Sequence, residues 1–307
     1  MPPARSERGP NYQPVTVRTV VNRVENMPFR WSLNPYRGCT HACIYCYARG
    51  THEYLGFEDP ADFDREVLVK ENAVEALRRQ LSHPRWRREE IAIGSATDPY
   101  QPAEGRFRLT RALLEVMVEF GNPVSITTKS PLVVRDLDLL RRLAAGPGCT
   151  VHLSVTTLDE EIWRVIEPGT PHPRRRLDAL RQLRDAGVEA GVLMAPVLPG
   201  LTDRRGRLEA VVAAAAAAGA RWVAPIVLRL PPGVRRWCLE RLHESYPALA
   251  AAYARAYRGV YAPSRYVAAL ERRVARLAAE HGIVPERRSS RRQSSSPEQL
   301  RLALAGA

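Results

Sequence analysis

Along most of this chain, short apolar runs alternate with longer stretches whose apolar residues recur three and four positions apart. The short runs are rich in Val and Ile and bounded by Pro, Gly, Asn or Ser, so they read as buried strands. The longer stretches read as amphipathic helices. "EIAIGSATDPY" (90–100) is a strand with a polar end, and a helix follows through "LTRALLEVMVEF". "PVSITTKS" (123–130) is the next strand, then a helix through "VRDLDLLRRLAA". "TVHLSVTTL" (150–158) precedes helices through "EEIWRVI" and "RRLDALRQLRDAG". "EAGVLMAPVLPG" (189–200) precedes "RLEAVVAAAAAAGA", and "RWVAPIVLRLPPG" (221–233) closes the series. Upstream, "FRWSLNPY" (29–36) and "REVLVKENA" (65–73) also read as strands.

Strands separated by helices of about 10 to 15 residues predict βαβ units and a parallel sheet. The count gives six or seven units, an α/β fold of the incomplete-barrel kind, with helices filling 234–282. The chain divides into four segments: a polar, Pro-rich arm over 1–27 expected to be flexible, a core barrel over 28–233, a helical extension over 234–284, and a Ser/Arg-rich tail over 285–307 expected to be disordered. Sites in parallel α/β folds form at the carboxyl ends of strands. Polar residues cluster there: Thr97 and Asp98 end one strand, Thr128 and Lys129 another, Ser154 and Thr156 a third. All of these should face one mouth.

Composition narrows the class. At 307 residues and 45% hydrophobic content, one large domain with a sizeable core is expected. No apolar run reaches the length of a membrane span, and "MPPARSERGP" has no apolar segment to act as a secretory signal. The expectation is a cytoplasmic protein without membrane contact. The net charge is +13, with a pI of about 10.1, which invites a polyanionic partner, nucleic acid above all. Nearly all the basic residues are arginine; Lys70 and Lys129 are the lysines. A lysine kept at position 129, at a strand end, points to a need for a compact ammonium there.

The cysteines change the picture most. Three of five, Cys39, Cys43 and Cys46, fall in "NPYRGCTHACIYCYAR" (34–49) with C-x3-C-x2-C spacing. In a reducing compartment such a cluster reads as metal-binding. One reading is a zinc site with His41 or His52 as fourth ligand. The other is an iron–sulfur cluster with one iron left open to a substrate or cofactor. Cys149 and Cys238 are isolated and read as packing.

C-x3-C-x2-C after the first strand of a parallel barrel resembles the radical S-adenosylmethionine (SAM) superfamily. The wider set of "GSATDPYQPAE" (94–104), "TTKSPLVVRDLDLL" (127–140), "LSVTTLDEEIWRVIEPGTP" (153–171) and "PVLPGLTD" (196–203) resembles its branch related to spore photoproduct lyase, the "DNA repair photolyase" group, over about 28–282. The resemblance implies a partial (β/α)6 barrel of the TIM type and a [4Fe–4S] cluster on Cys39, Cys43 and Cys46. SAM would chelate the fourth iron. Reductive cleavage would yield a 5′-deoxyadenosyl radical that abstracts hydrogen from a substrate, in a lyase-like or modifying reaction left unassigned. A flavodoxin, ferredoxin or reductase would donate the electron.

The resemblance also implies that Tyr45 lies near the adenine, Thr97 and Asp98 near the methionine part of SAM, Lys129 near its carboxylate or ribose, and Ser154, with Thr156, near the ribose. Asp98 alternatively caps the turn before Pro99. Glu167 and Arg176 either pair with each other or meet the substrate. One departure stands out: Ser95 occupies the position where spore photoproduct lyase has the cysteine that returns hydrogen. A serine O–H bond is far too strong for that task, so the lyase route is not expected here.

Arginines recur beside Trp86, Trp163 and Trp237, a mix suited to phosphate contact and base stacking. The tail ends "EQLRLALAGA"; Gln299, Leu300, Leu302 and Leu304 loosely resemble the peptide by which bacterial repair enzymes dock on the DNA sliding clamp. Alternative readings are a radical SAM enzyme acting on a small molecule, peptide or tRNA, and a zinc-binding nucleic-acid module without catalysis.

Overall fold

The computed structural model of the protein describes residues 9–25, 27–57 and 59–283. The tail and the clamp-like peptide at 299–307 lie outside the described residues. The main sheet has seven strands in the order β10-β9-β8-β7-β6-β3-β2. Its parallel members are β3 (Trp31–Leu33), β6 (Ile91–Ile93), β7 (Val124–Thr128), β8 (Cys149–Ser154), β9 (Glu189–Val197) and β10 (Val223–Val227). β2 (Val21–Arg23) runs antiparallel to β3 at one edge. Six parallel strands with helical crossovers make the expected partial barrel.

The crossovers follow the sequence periods. α4 (Leu109–Phe120) covers "LTRALLEVMVEF" residue for residue, burying Leu113, Leu114, Val116 and Met117. α5 (Leu137–Ala145), α6 (Glu160–Ile166), α7 (Pro173–Asp185) and α8 (Arg205–Ala217) complete the later units. β7 alternates buried and half-buried positions, the period of a strand with both faces covered by packing. Among the described residues, three helices follow the barrel: α9 (Pro232–Ser245), α10 (Pro247–Ala256) and α11 (Ser264–Glu280). No helix among the described residues is long and apolar enough to cross a membrane.

Two expectations are corrected. "REVLVKENA" forms a strand, β5 (Glu66–Lys70), but not a barrel unit. It sits in a separate sheet between β1 (Asn11–Val15) and the short β4 (Tyr36–Arg37). Apolar periodicity marks a strand without naming its partner, and α1 (Asp62–Arg65) and α2 (Ala73–Leu81) flank it. The second correction concerns the arm: residues 11–15 pair parallel with β5 and residues 21–23 pair with β3. Side-chain hydrogen bonds offset the polar composition. Glu66 Oε2 accepts from Asn11 Nδ2 (2.8 Å) and Gln13 Nε2 (2.6 Å), and Gln80 Oε1 accepts from the backbone of Val20 and Val21. The small sheet anchors the entry to the cysteine loop, because β4 is clamped to β5 immediately before Cys39.

Candidate active site

Beyond β4 the chain turns at Gly38, whose φ is +83°. A Cβ there would lie 2.5 Å from the Glu66 carbonyl oxygen, so only glycine fits. The Gly38 carbonyl accepts from Thr97 Oγ1 (2.6 Å) and Gln101 Nε2 (2.9 Å), while Gln101 Oε1 accepts from Thr40 N (3.1 Å). Cys39 N donates to Phe63 O (2.8 Å). On the far side, Gly169 backs directly onto the loop. Its N–H donates to His41 O (3.1 Å), and a Cβ would sit 2.4 Å from Thr40 O. Ile44 N donates to Ile166 O in the same region (3.1 Å).

Arg49, only 2% exposed, holds the loop from below. It donates to Cys43 O through Nη2 (3.0 Å), to Pro60 O (2.8 Å) and to both carboxylate oxygens of Asp64 (2.8 and 2.9 Å). Its guanidinium lies 4.8 Å from the Trp237 ring, which ties the C-terminal helix α9 to the cysteine loop.

Cys39, Cys43 and Cys46 are all free, the first two buried and the third partly so. Burial pushes the Cys43 thiol up to about 12 and raises the other two. The charges of Cys43 and Cys46 add to the shift at Cys39, and the Lys129 charge opposes the shift at Cys43 and Cys46. Such thiols ionise readily only beside added positive charge, which a metal centre supplies. Three free thiols in one loop are a donor set of the kind that metal centres use. His52 Nε2 lies 3.0 Å from Glu66 O with its ring between Phe57 and Phe63, and His41 Nδ1 stands 3.3 Å from Asp98 Oδ2. Both proposed zinc histidines are thus turned toward protein partners.

Around the loop lie the strand-end residues. Asp98 Oδ1 accepts from Tyr100 N (2.9 Å) and Thr128 Oγ1 (2.6 Å), and Oδ2 from Lys129 N (2.7 Å). Burial would raise its carboxyl, but His41 and these donors override that and hold it at about 2. Asp98 thus caps its own turn and fixes the backbone at Lys129. The Lys129 ammonium lies 5.7 Å from the centroid of the Tyr45 ring and has no ion-pair partner among the described residues. Burial works against its charge, yet Cys43 and Glu167 raise its pKa overall.

Tyr45 is buried and donates its hydroxyl hydrogen to Glu167 Oε1, with Thr156 Oγ1 3.4 Å away. Glu167 also accepts from Thr156 Oγ1 (2.9 Å) and from Arg176 Nη2 (2.6 Å). Glu167 and Arg176 therefore pair with each other. Arg176 has no exposure and reaches Ser154 O (2.8 Å) and Thr170 Oγ1 (2.7 Å). Ser154 Oγ donates to Ala195 O (2.9 Å) at the end of β9. Every strand-end residue picked out in the sequence lies at this mouth, but the hydroxyls of Thr97 and Ser154 are engaged by backbone carbonyls.

Sequence reasoning missed Arg49, Gln101 and Gly169, whose roles depend on backbone groups distant in the chain. It also missed a buried network behind "GSATDPYQPAE". Glu104 accepts from Tyr36 OH (2.5 Å), Thr110 N (2.8 Å) and Arg135 Nη2 (2.7 Å), and Asp136 accepts from Tyr100 OH (3.1 Å). A buried carboxylate inside a motif was the available signal. Ser95 Oγ lies 2.5 Å from Ser32 Oγ and accepts from Asn34 Nδ2 (3.1 Å). Cys149 opens β8 at the amino end of the barrel, and Cys238 is buried within α9, so neither joins the three thiols.

The sequence profile of the Radical SAM superfamily matches residues 33–209. An uncharacterised protein of Mycobacterium tuberculosis is 41% identical over 293 residues, 92% of this chain and 86% of its own length. A radical SAM Nα-GlyT isomerase of Pseudomonas phage M6 is 29% identical over 172 residues, 54% of this chain and 33% of that one. Among solved structures, a spore photoproduct lyase mutant with bound AdoMet and dinucleoside spore photoproduct superposes with a TM-score of 0.65 at 17% identity, covering 88% of this chain and 79% of that one.

Proposed function

The chain belongs to the radical SAM superfamily of enzymes, and from that premise we propose that Cys39, Cys43 and Cys46 hold a [4Fe–4S] cluster whose fourth iron takes S-adenosylmethionine. Such a cluster, when bound, supplies the electron that cleaves SAM to methionine and a 5′-deoxyadenosyl radical, which takes hydrogen from the substrate. The observation that carries this reading is three free thiols gathered in one braced loop at the mouth of a parallel barrel.

The chain's own residues bind and orient. Lys129, the mouth's unpaired ammonium, meets the SAM carboxylate. Tyr45, its hydroxyl fixed by Glu167, offers its ring to the adenine. Thr97 holds the Gly38 carbonyl, Asp98 aims Lys129, and Ser154 fixes the end of β9; these three position the site through the backbone. The buried surroundings exclude water from the reacting groups. A flavodoxin, ferredoxin or reductase delivers the electron.

The substrate we propose is nucleic acid. A net charge of +13 supports it, as does the dinucleoside photoproduct held by the structurally similar lyase. With serine at position 95 and Cys149 at the amino end of the barrel, a thiol returning hydrogen from position 95 is not part of the reaction. Anaerobic reconstitution tests the reading. The expected product is a brown protein with about four irons that forms 5′-deoxyadenosine from SAM after reduction, with Cys43→Ala losing both. A colourless protein with one zinc overturns it.

A further inference from the structure

Among the described residues, the most exposed large hydrophobic side chains are Tyr47 (50%) and Tyr261 (52%). Tyr261 has an arginine against its ring. Arg229 follows β10 at the carboxyl end of the barrel and forms an isolated antiparallel bridge with Tyr261. Its guanidinium stands 5.3 Å from the Tyr261 ring centroid. Tyr47 directly follows the last cysteine of the loop and donates its hydroxyl to Ser95 O, which leaves the ring outward. No carboxylate pairs with Arg229 among the described residues.

The bridge is the lip of a cleft of about 510 Å³ between the first turns of α9 and the segment after α10. Leu230 N donates to Val260 O (2.9 Å) along the lip. Arg235, Arg236 and Arg258 line the cleft. Arg235 ties its walls by donating to Tyr257 O, whereas Arg236 is 83% exposed, with Glu240 at 3.8 Å, and Arg258 is exposed with no ion pair among the described residues. A half-exposed ring with an arginine against it, beside a cleft lined by further arginines, matches a base and its phosphates. Cys39 and Cys43 are buried, and a base that reacts in such a site must leave its stack.

We infer that Tyr261 and Arg229 form a stacking shelf for an unpaired nucleobase, with the Arg236 and Arg258 cleft carrying the adjoining phosphates of a single strand. This track deepens, and rests on, the assignment of nucleic acid as the substrate.

Fluorescence anisotropy on the full chain with its cluster reconstituted tests it, using a labelled short oligothymidylate, the matching oligouridylate and a blunt mixed-sequence duplex. A single strand of either sugar should bind more tightly than the duplex, with affinity falling steeply as salt rises. Tyr261→Ala should weaken that binding about tenfold while Tyr261→Phe retains it. Arg258→Ala should lower the slope of log affinity against log salt by about one. Equal affinity for duplex and single strand, or unaltered affinity in Tyr261→Ala, overturns the shelf. Unmutated protein that forms 5′-deoxyadenosine but binds neither strand overturns the track alone. Unmutated protein that binds the strand yet never holds iron overturns the radical reading and leaves the track standing.

Discussion

Arg176 donates to Glu167 across 2.6 Å with both side chains sealed from solvent, and the carboxylate in turn fixes the hydroxyl of Tyr45 beside the cysteines. The ring of Tyr45 is held by a charge pair on the opposite wall of the barrel, not by its own loop. Together with Gly169 against Thr40 and Ile166 against Ile44, this pair makes the segment at 166–176 the second half of the cysteine site.

Removing one member of that pair should be costly. Arg176→Met leaves Glu167 charged and buried, at roughly 3–5 kcal/mol. In a protein of this size that lowers the melting temperature by about 10 °C or more. Thermal unfolding followed by circular dichroism reads it, and adding Glu167→Gln should recover part of the loss. A shift of only a degree or two would mean the pair does not support the wall.

Lys70 gives a pH test. It is buried, donates to Asn34 O at the entry to the cysteine loop (2.7 Å), and burial lowers its pKa from 10.5 to about 8. Between those values the unfolded chain binds more protons than the folded one, so stability rises with pH through that window. Urea unfolding at several pH values should show wild type gaining up to about 3 kcal/mol relative to Lys70→Met as pH climbs from 8 toward 10.5. A constant difference across the window would mean Lys70 is not desolvated.

Gly169→Ala separates backbone approach from helix or loop propensity. The new Cβ would sit 2.4 Å from Thr40 O and 2.9 Å from His41 O, pushing on the span between Cys39 and Cys43. Iron content and visible absorption after reconstitution should fall by more than half. Gly105→Ala, where nothing lies within 4 Å, should keep full iron and gain up to about 1 kcal/mol in α3 (Pro102–Phe107). Full iron in Gly169→Ala would show that the loop can shift to accept the methyl group.

The cysteine loop and the six-stranded barrel were legible because their signals are local: thiols at fixed spacing, and apolar runs at strand and helix periods. Lys129 stands out for a different reason, as one of two lysines in a chain that otherwise uses arginine. What holds the loop was not. Arg49 reads as one more basic residue until its carbonyl partners at Cys43 and Pro60 are seen. Gly169 reads as a turn glycine, although its φ is ordinary and its reason is close approach. The N-terminal strands failed as a sequence reading because Asn11 and Gln13 look solvent-facing, whereas Glu66, more than fifty positions away, pairs them.

Lys129 separates cofactor binding from cluster assembly. Its ammonium has no ion-pair partner among the described residues, while its backbone is fixed by Asp98, so truncation removes a charge without loosening the turn. Among the described residues no side-chain hydrogen bond joins Lys129 to the three cysteines or to their braces at Gly38, Gly169 and Arg49, and it acts on Cys43 through its charge. Lys129→Ala should therefore reconstitute with full iron but bind SAM about ten- to a hundredfold more weakly, the worth of a hydrogen bond to a charged group. Equilibrium binding of SAM and the change SAM causes in the electron paramagnetic resonance of the reduced cluster both read this. Asp98→Asn should share the direction with a smaller loss, since Asp98 reaches SAM only through the position of Lys129. Unchanged SAM affinity in Lys129→Ala would remove the ammonium from the cofactor and leave it as a counter-charge to Cys43 and Glu167.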